Sequence, residues 1–239
     1  IQYEVTLPEG ISLHQALQLL SSQPQLQTIL EGVGDPRLLA LVAPRNSAEG
    51  LFFPDTYRFN RGDTDLGILR RAQFKMEREL EREWSLRQEQ LPLSSPYEAL
   101  ILASIIEKET GLAAERERIA GVFVRRLQRR MRLQADPTVI YGLGESFTGN
   151  LRRSHIEDAS NPYNTYRHFG LPPTPIALAG GAALRAALHP AAGNELYFVA
   201  RGDGSHEFSA IMEQHERAVR RYQRKRAVNY HSAPAARNR

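Results

Sequence analysis

Cysteine is absent from the 239-residue chain, so it can build no disulfide framework, thiolate nucleophile, zinc–thiolate site or iron–sulfur site. That absence does not by itself separate the cytosol from an oxidising compartment. Long apolar runs are missing too: Ala99 to Ile106 is interrupted by Ser104 and falls far short of the roughly 20 residues a membrane helix needs. Nor does any motif call for a cofactor. The seven histidines show no H-E-x-x-H pattern and no ligand pair at helical spacing, so no metal is expected. The glycines at Gly142 and Gly144 are followed by Glu145-Ser-Phe-Thr and make no dinucleotide fingerprint. What remains is ordinary globular composition, 41% hydrophobic and 24% charged, which excludes disorder and fibrous repeats. Any chemistry has to come from carboxylates, histidine, hydroxyls or tyrosine.

The net charge of +4 is uneven. Eight basic and no acidic residues lie from Arg217 onward, which leaves −4 on the first 216 residues. Because the basic excess is confined to one terminal segment, it reads as a solvated helix end and tail, with attraction to an anionic polymer or lipid surface as the alternative. No nucleic-acid partner is expected. The chain also opens on Ile1 inside an alternating run, which leaves room for an upstream signal, anchor or domain, so targeting is not read from it.

Residues 1–7 alternate like a strand, and Ser12 is placed to cap a helix over 13–22 with Leu13, Ala16, Leu17 and Leu20 on its apolar stripe. Further helical stretches are expected over 24–30 and 36–42, then a loop at 43–50 that reads as a subdomain boundary. Residues 50–59 are too aromatic for an exposed linker and read as an irregular crossing or edge strand. A long polar helix is expected from Asp65 to about Gln90 with Leu69, Phe74 and Leu80 inward. Pro96 opens the most apolar helix, 97–110, which should be central. Another helix follows with Ile119, Val122, Phe123 and Leu127 inward, then a short one from Pro137, and a long structured loop over 143–175. Helix returns over 182–188, a hairpin turns at Asp203-Gly204, and a final helix runs over 211–226.

The strongest local conflict lies at the end of the central helix, where Glu107-Lys108-Glu109 closes an apolar run. Charge beside a core helix is costly unless paired or used. At about 100° per residue, Glu107 shares a face with Leu100, Ala103 and Ser104, while Glu109 projects on the side of Leu102 and Ile105. Small residues beside Glu107 would leave room for a ligand, and burial would raise its pKa toward the range of a general acid. The alternative is that both glutamates pair with Arg116, Arg118 or Arg125. Amide, hydroxyl and aromatic groups suited to sugar recognition gather elsewhere, at Gln134, Asp136 and Thr138, at Asn161, Tyr163, Asn164, Thr165 and Tyr166, and at His206. Turn and helix-cap chemistry explains several of these equally well.

Five runs in order resemble one family: 49–57 (EGLFFPDTY), 103–110 (ASIIEKET), 131–142 (MRLQADPTVIYG), 163–166 (YNTY) with 170–173 (GLPP), and 196–199 (LYFV). They are similar to the YceG-like endolytic murein transglycosylases, the MltG type. The resemblance implies an α+β protein with a small N-terminal strand–helix subdomain, a LysM-like remnant, over 1–48. A mainly helical, lysozyme-like catalytic domain with a small β-hairpin would follow over 49–228, and a basic tail over 229–239. It implies a bacterial lyase, without cofactor, that cuts nascent peptidoglycan between N-acetylmuramic acid and N-acetylglucosamine and leaves a 1,6-anhydro end. Glu107, the first glutamate of its motif, would be the catalytic acid. Gln134, Asp136, Thr138, Asn164, Tyr166 and His206 would bind substrate. Glycan strands are the implied partner, with peptidoglycan synthases beside them and a membrane anchor upstream, at the periplasmic face of the inner membrane. Ala135 stands where the family often has threonine, and the hairpin at 205–208 also varies. A non-catalytic peptidoglycan- or nucleic-acid-binding module and a hydrolytic muramidase are the rival readings.

Overall fold

The computed structural model describes residues 1–222. The tail expected over 229–239 and the last residues of the final helix lie outside them.

Strand β1 (Gln2–Thr6) alternates because Val5 faces inward while its neighbours face water, and it pairs antiparallel with β2 (Thr56–Asn60), Gln2 opposite Asn60. Helix α1 (Leu13–Ser21) starts at a reciprocal cap: Ser12 Oγ accepts the Gln15 N–H at 3.3 Å and Gln15 Oε1 accepts the Ser12 N–H at 2.9 Å. The segment 24–30 expected to be helical is instead turns and extended chain, and only α2 (Pro36–Leu41) forms there. Its carboxylate-capped start explains the difference: Asp35 accepts the Arg37 N–H, whereas 24–30 has no side-chain cap.

Helix α3 (Asp65–Ser85) ends five residues earlier than expected. Ile68, Leu69, Ala72 and Met76 face inward at helical spacing, but Phe74 falls off that stripe and is 60% exposed, with Arg78 over its ring. Ile68, Leu69 and Ala72 join Val5, Leu7, Leu13, Leu20, Leu38, Phe52, Tyr57 and Phe59 in one apolar core, while Met76 packs into the core around the next helix. The N-terminal core therefore continues through residues 52–72, past the boundary drawn at residue 48, because the second strand of its sheet comes from β2.

The second core surrounds α4 (Pro96–Glu109), capped by Ser95, in which every residue from Ala99 to Ile106 is buried. A helix apolar on all sides must be covered on all sides. α3, α5 (Ala113–Gln128), α6 (Asp136–Leu143) and α8 (Gly181–Leu188) pack around it. The loop 143–175 carries a short helix, α7 (Arg153–Glu157). The hairpin β3 (Tyr197–Ala200) and β4 (His206–Ser209) lies against α9 (Met212–Tyr222). The architecture is α+β, mainly helical with two small antiparallel sheets. No helix among the described residues is long and apolar enough to cross a membrane.

Candidate active site

A broad cleft of about 2050 Å³ runs from α1 across the end of α4 to the hairpin. Ser12, His14 and Glu49 line one end, Glu109, Gln134, Asp136 and Tyr166 the middle, and Phe198, His206 and His215 the other end.

Glu107 is not in that lining. Its Oε2 accepts the Gly180 N–H at 3.0 Å, at the start of α8, and Arg116 lies 4.0 Å from Oε1. The space read beside Ala103 and Ser104 is filled by the chain itself: Ser104 Oγ accepts the Ile176 N–H at 3.0 Å, and Gly10 and Ile11 exchange backbone hydrogen bonds with Leu178. Burial raises the Glu107 pKa while the Gly180 amide opposes that rise. Its carboxylate thus caps α8 and seals the seam between the Pro8–Gly10 turn and α4, where Lys108 Nζ also donates to Gly10 O at 3.0 Å.

Glu109, about 200° further round the helix, faces the cleft. Burial, with the negative charge of Asp136 adding to it, pushes its pKa up to about 8, and no hydrogen bond from the described residues lowers it. Arg126 opposes the shift only at a distance, because its Nε donates to Leu196 O at 2.6 Å and its Nη1 to Leu133 O at 2.7 Å. A carboxylic acid at the cleft wall, protonated at neutral pH and without a bonded partner, can donate a proton to a bound ligand.

The residues of the 131–138 run divide between wall and frame. Gln134 is exposed to the cleft at φ 52°, a left-handed conformation held by its N–H on Thr165 O and by Arg126. Asp136, at the first turn of α6, accepts the Tyr166 hydroxyl at 2.5 Å. Thr138 is fully buried and bonds to Ala135 O and Thr165 Oγ1, so it does not reach a ligand. Asn164 is fully buried too: its amide donates to the carbonyls of His155, Ile156 and Asp158 and its Oδ1 accepts the Tyr166 N–H. Both were expected to touch substrate, and both instead fix the loop that carries Tyr166. His206 does line the cleft, gripped by Glu115. Among the described residues no group of three or more acidic or histidine side chains is arranged to hold a metal.

Glu49 is a buried carboxylate that the residue pattern did not single out. It accepts the Leu13 N–H at 2.9 Å and the Tyr141 hydroxyl at 3.2 Å, and burial pushes its pKa up to about 7. Its only sequence signal is a lone acid heading an aromatic run.

Comparison with known proteins extends the picture. An endolytic murein transglycosylase of Bacillus subtilis (strain 168) is 37% identical over 178 residues, covering 74% of this chain and 49% of that protein. One from Streptococcus pneumoniae serotype 2 (strain D39) is 28% identical over 246 residues, covering 90% and 44%. The crystal structure of a YceG-like protein from Listeria monocytogenes superposes with a TM-score of 0.74 at 31% identity, over 90% of this chain and 75% of that one. The chain spans about half the length of the curated relatives it matches. Residues 1–221 match the YceG-like family along their whole length, and the chain belongs to that family.

Proposed function

We propose that this protein is an endolytic murein transglycosylase that uses Glu109, rather than Glu107, as its single acid and base. The observation that carries the reading is a carboxyl group without a hydrogen-bond partner among the described residues, its pKa pushed up to about 8, in the wall of a long polar cleft. The names of the relatives supply the substrate class, and the cleft's amides, hydroxyls and rings suit a sugar chain.

In this mechanism protonated Glu109 gives its proton to the glycosidic oxygen as the bond from C1 of N-acetylmuramic acid breaks. The substrate's own acetamido group stabilises the positive charge at C1. Glu109, now a carboxylate, takes the proton from the muramic 6-hydroxyl as that oxygen closes onto C1, which leaves a 1,6-anhydro end and restores the acid. Proton transfer by one placed group is worth about 10²–10⁴-fold in rate. Asp136 holds the Glu109 proton by charge, and Tyr166 fixes Asp136. Gln134, Tyr166 and His206 contact the sugars; Thr138 and Asn164 support them from behind.

Digestion of unmodified glycan strands followed by mass spectrometry tests the reading. Anhydro ends are one water lighter than hydrolysed ends. Reducing muramic ends would make the protein a muramidase, and intact strands would leave a binding module. Because murein lies outside the cytoplasmic membrane, the reading also assigns the chain to the periplasmic face of that membrane, tethered there by an anchor and beside the synthases that supply nascent strands. Fractionation and crosslinking of the whole protein test that assignment.

A further inference from the structure

Glu115 takes no part in the proton transfers, yet it is bound to the cleft wall. His206 opens β4 and is only 5% exposed, and Glu115 in the first turn of α5 holds it twice. Oε1 accepts the His206 backbone N–H at 3.0 Å, and Oε2 lies 2.7 Å from Nδ1. Phe198 and Phe208 wall the ring at steep angles, with centroids 5.4 and 6.3 Å away. The imidazole is therefore held on two sides by rings and on a third by Glu115.

An ionised carboxylate only accepts hydrogen bonds, so the proton of a neutral ring sits on Nδ1 and Nε2 keeps a free lone pair. Nε2 has no protein partner among the described residues. It is also not among the buried polar atoms left without one, so it reaches the solvent of the cleft. A carboxylate needed only to staple the hairpin to α5 would require the backbone bond alone. The second bond decides which nitrogen the ring presents.

We propose that Glu115 is a positioning residue that holds His206 in its Nδ1–H form, so that Nε2 accepts a hydrogen bond from a hydroxyl of the amino-sugar chain in the cleft. The inference rests on the glycan-binding part of the reading above. Glu115→Gln is a discriminating change. Its amide can satisfy both the backbone N–H and the ring only by donating to Nδ1, which forces the proton onto Nε2 and turns the acceptor into a donor.

The test uses the full chain. Nitrogen-15 NMR of the histidine side chains under mildly alkaline conditions, where imidazole is neutral, reads the His206 tautomer without any substrate. Binding of uncut glycan strands is measured in a Glu109→Gln background, and KM and kcat in the Glu109-intact protein. The expected results are Nδ1–H in the unaltered protein, Nε2–H in Glu115→Gln, a roughly tenfold rise in KM and in the dissociation constant, and little change in kcat. His206→Ala should produce the same loss and make Glu115→Gln silent when combined with it. The proposal is overturned by an Nε2–H ring in the unaltered protein, by unchanged KM and binding despite a reversed tautomer, or by a Glu115→Gln effect that persists without His206. Strands that are bound in a Glu115-dependent way but never cut would overturn the cleavage reading alone.

Discussion

Two glutamates two residues apart on α4 meet opposite surroundings, one on each face of the helix. On the Glu107 face the chain at 176–180 lies against α4, and the carboxylate is taken up by a backbone amide at the start of α8. On the Glu109 face the side chain lines the cleft, the Arg126 guanidinium is hydrogen-bonded to carbonyls, and the like charge of Asp136 adds to burial while the Arg126 charge opposes it. Both groups have raised pKa values from burial, so burial alone does not select the proposed acid from the carboxylate bound at the start of α8. Access to a ligand and the lack of a partner do.

The largest expected effect follows from exchanging each acid for its amide. Glu109→Gln should lower glycan cleavage about 10³-fold with binding retained, whereas Glu107→Gln, whose amide oxygen still accepts the Gly180 N–H, should stay within about tenfold of normal. Both are read from muropeptide release by proteins with unchanged circular dichroism. The opposite ranking would reverse the comparison.

Next in size is Asn164→Ala, which removes a buried amide that donates to three partly buried carbonyls. It should cost about 2–3 kcal/mol of stability in thermal unfolding, while KM measured on the folded protein at low temperature stays unaltered. A raised KM without lost stability would put Asn164 back among the sugar contacts.

Cleavage should fall as pH rises through about 8, where Glu109 loses the proton it must donate. Asp136→Asn removes the like charge, so that limb moves to lower pH, by less than the whole displacement because burial is the larger cause. A limb that does not move would separate Asp136 from the acid.

The smallest effect concerns Glu49, which lines the cleft but is partnered like Glu107. Its pKa is about 7 in the folded chain against 4.5 for a free side chain, so the native state binds the extra proton and stability falls as pH rises from about 4.5 through about 7. Glu49→Gln should flatten that part of a melting-temperature profile. An unchanged slope would show that other groups set it.

Much of the fold can be read from residue pattern because the apolar spacing is regular. The run Ala99 to Ile106 announces a central helix, Ser12 and Pro96 mark helix starts, and the Asp203-Gly204 turn marks the hairpin. Phe74 is misread because it falls off the inward stripe of its helix, and residues 24–30 because Leu26 and Leu30 reach the N-terminal core from turns and extended chain rather than from a helix. The site is less legible. Gln134, Asp136, Tyr166 and His206 do line the cleft, but Thr138 and Asn164 have the same chemistry and face inward, and polar residue type does not encode direction.

Sequence by itself determined that two carboxylates would stand at the end of the most apolar helix, on faces 200° apart, because helical periodicity fixes their relative angle whatever surrounds them. Which face would be covered depended on a segment some 70 residues away folding over Ser104, and on whether Arg126 would find carbonyls before it found an acid. Those are long-range packing outcomes with no local signature, and only the tertiary structure decided them.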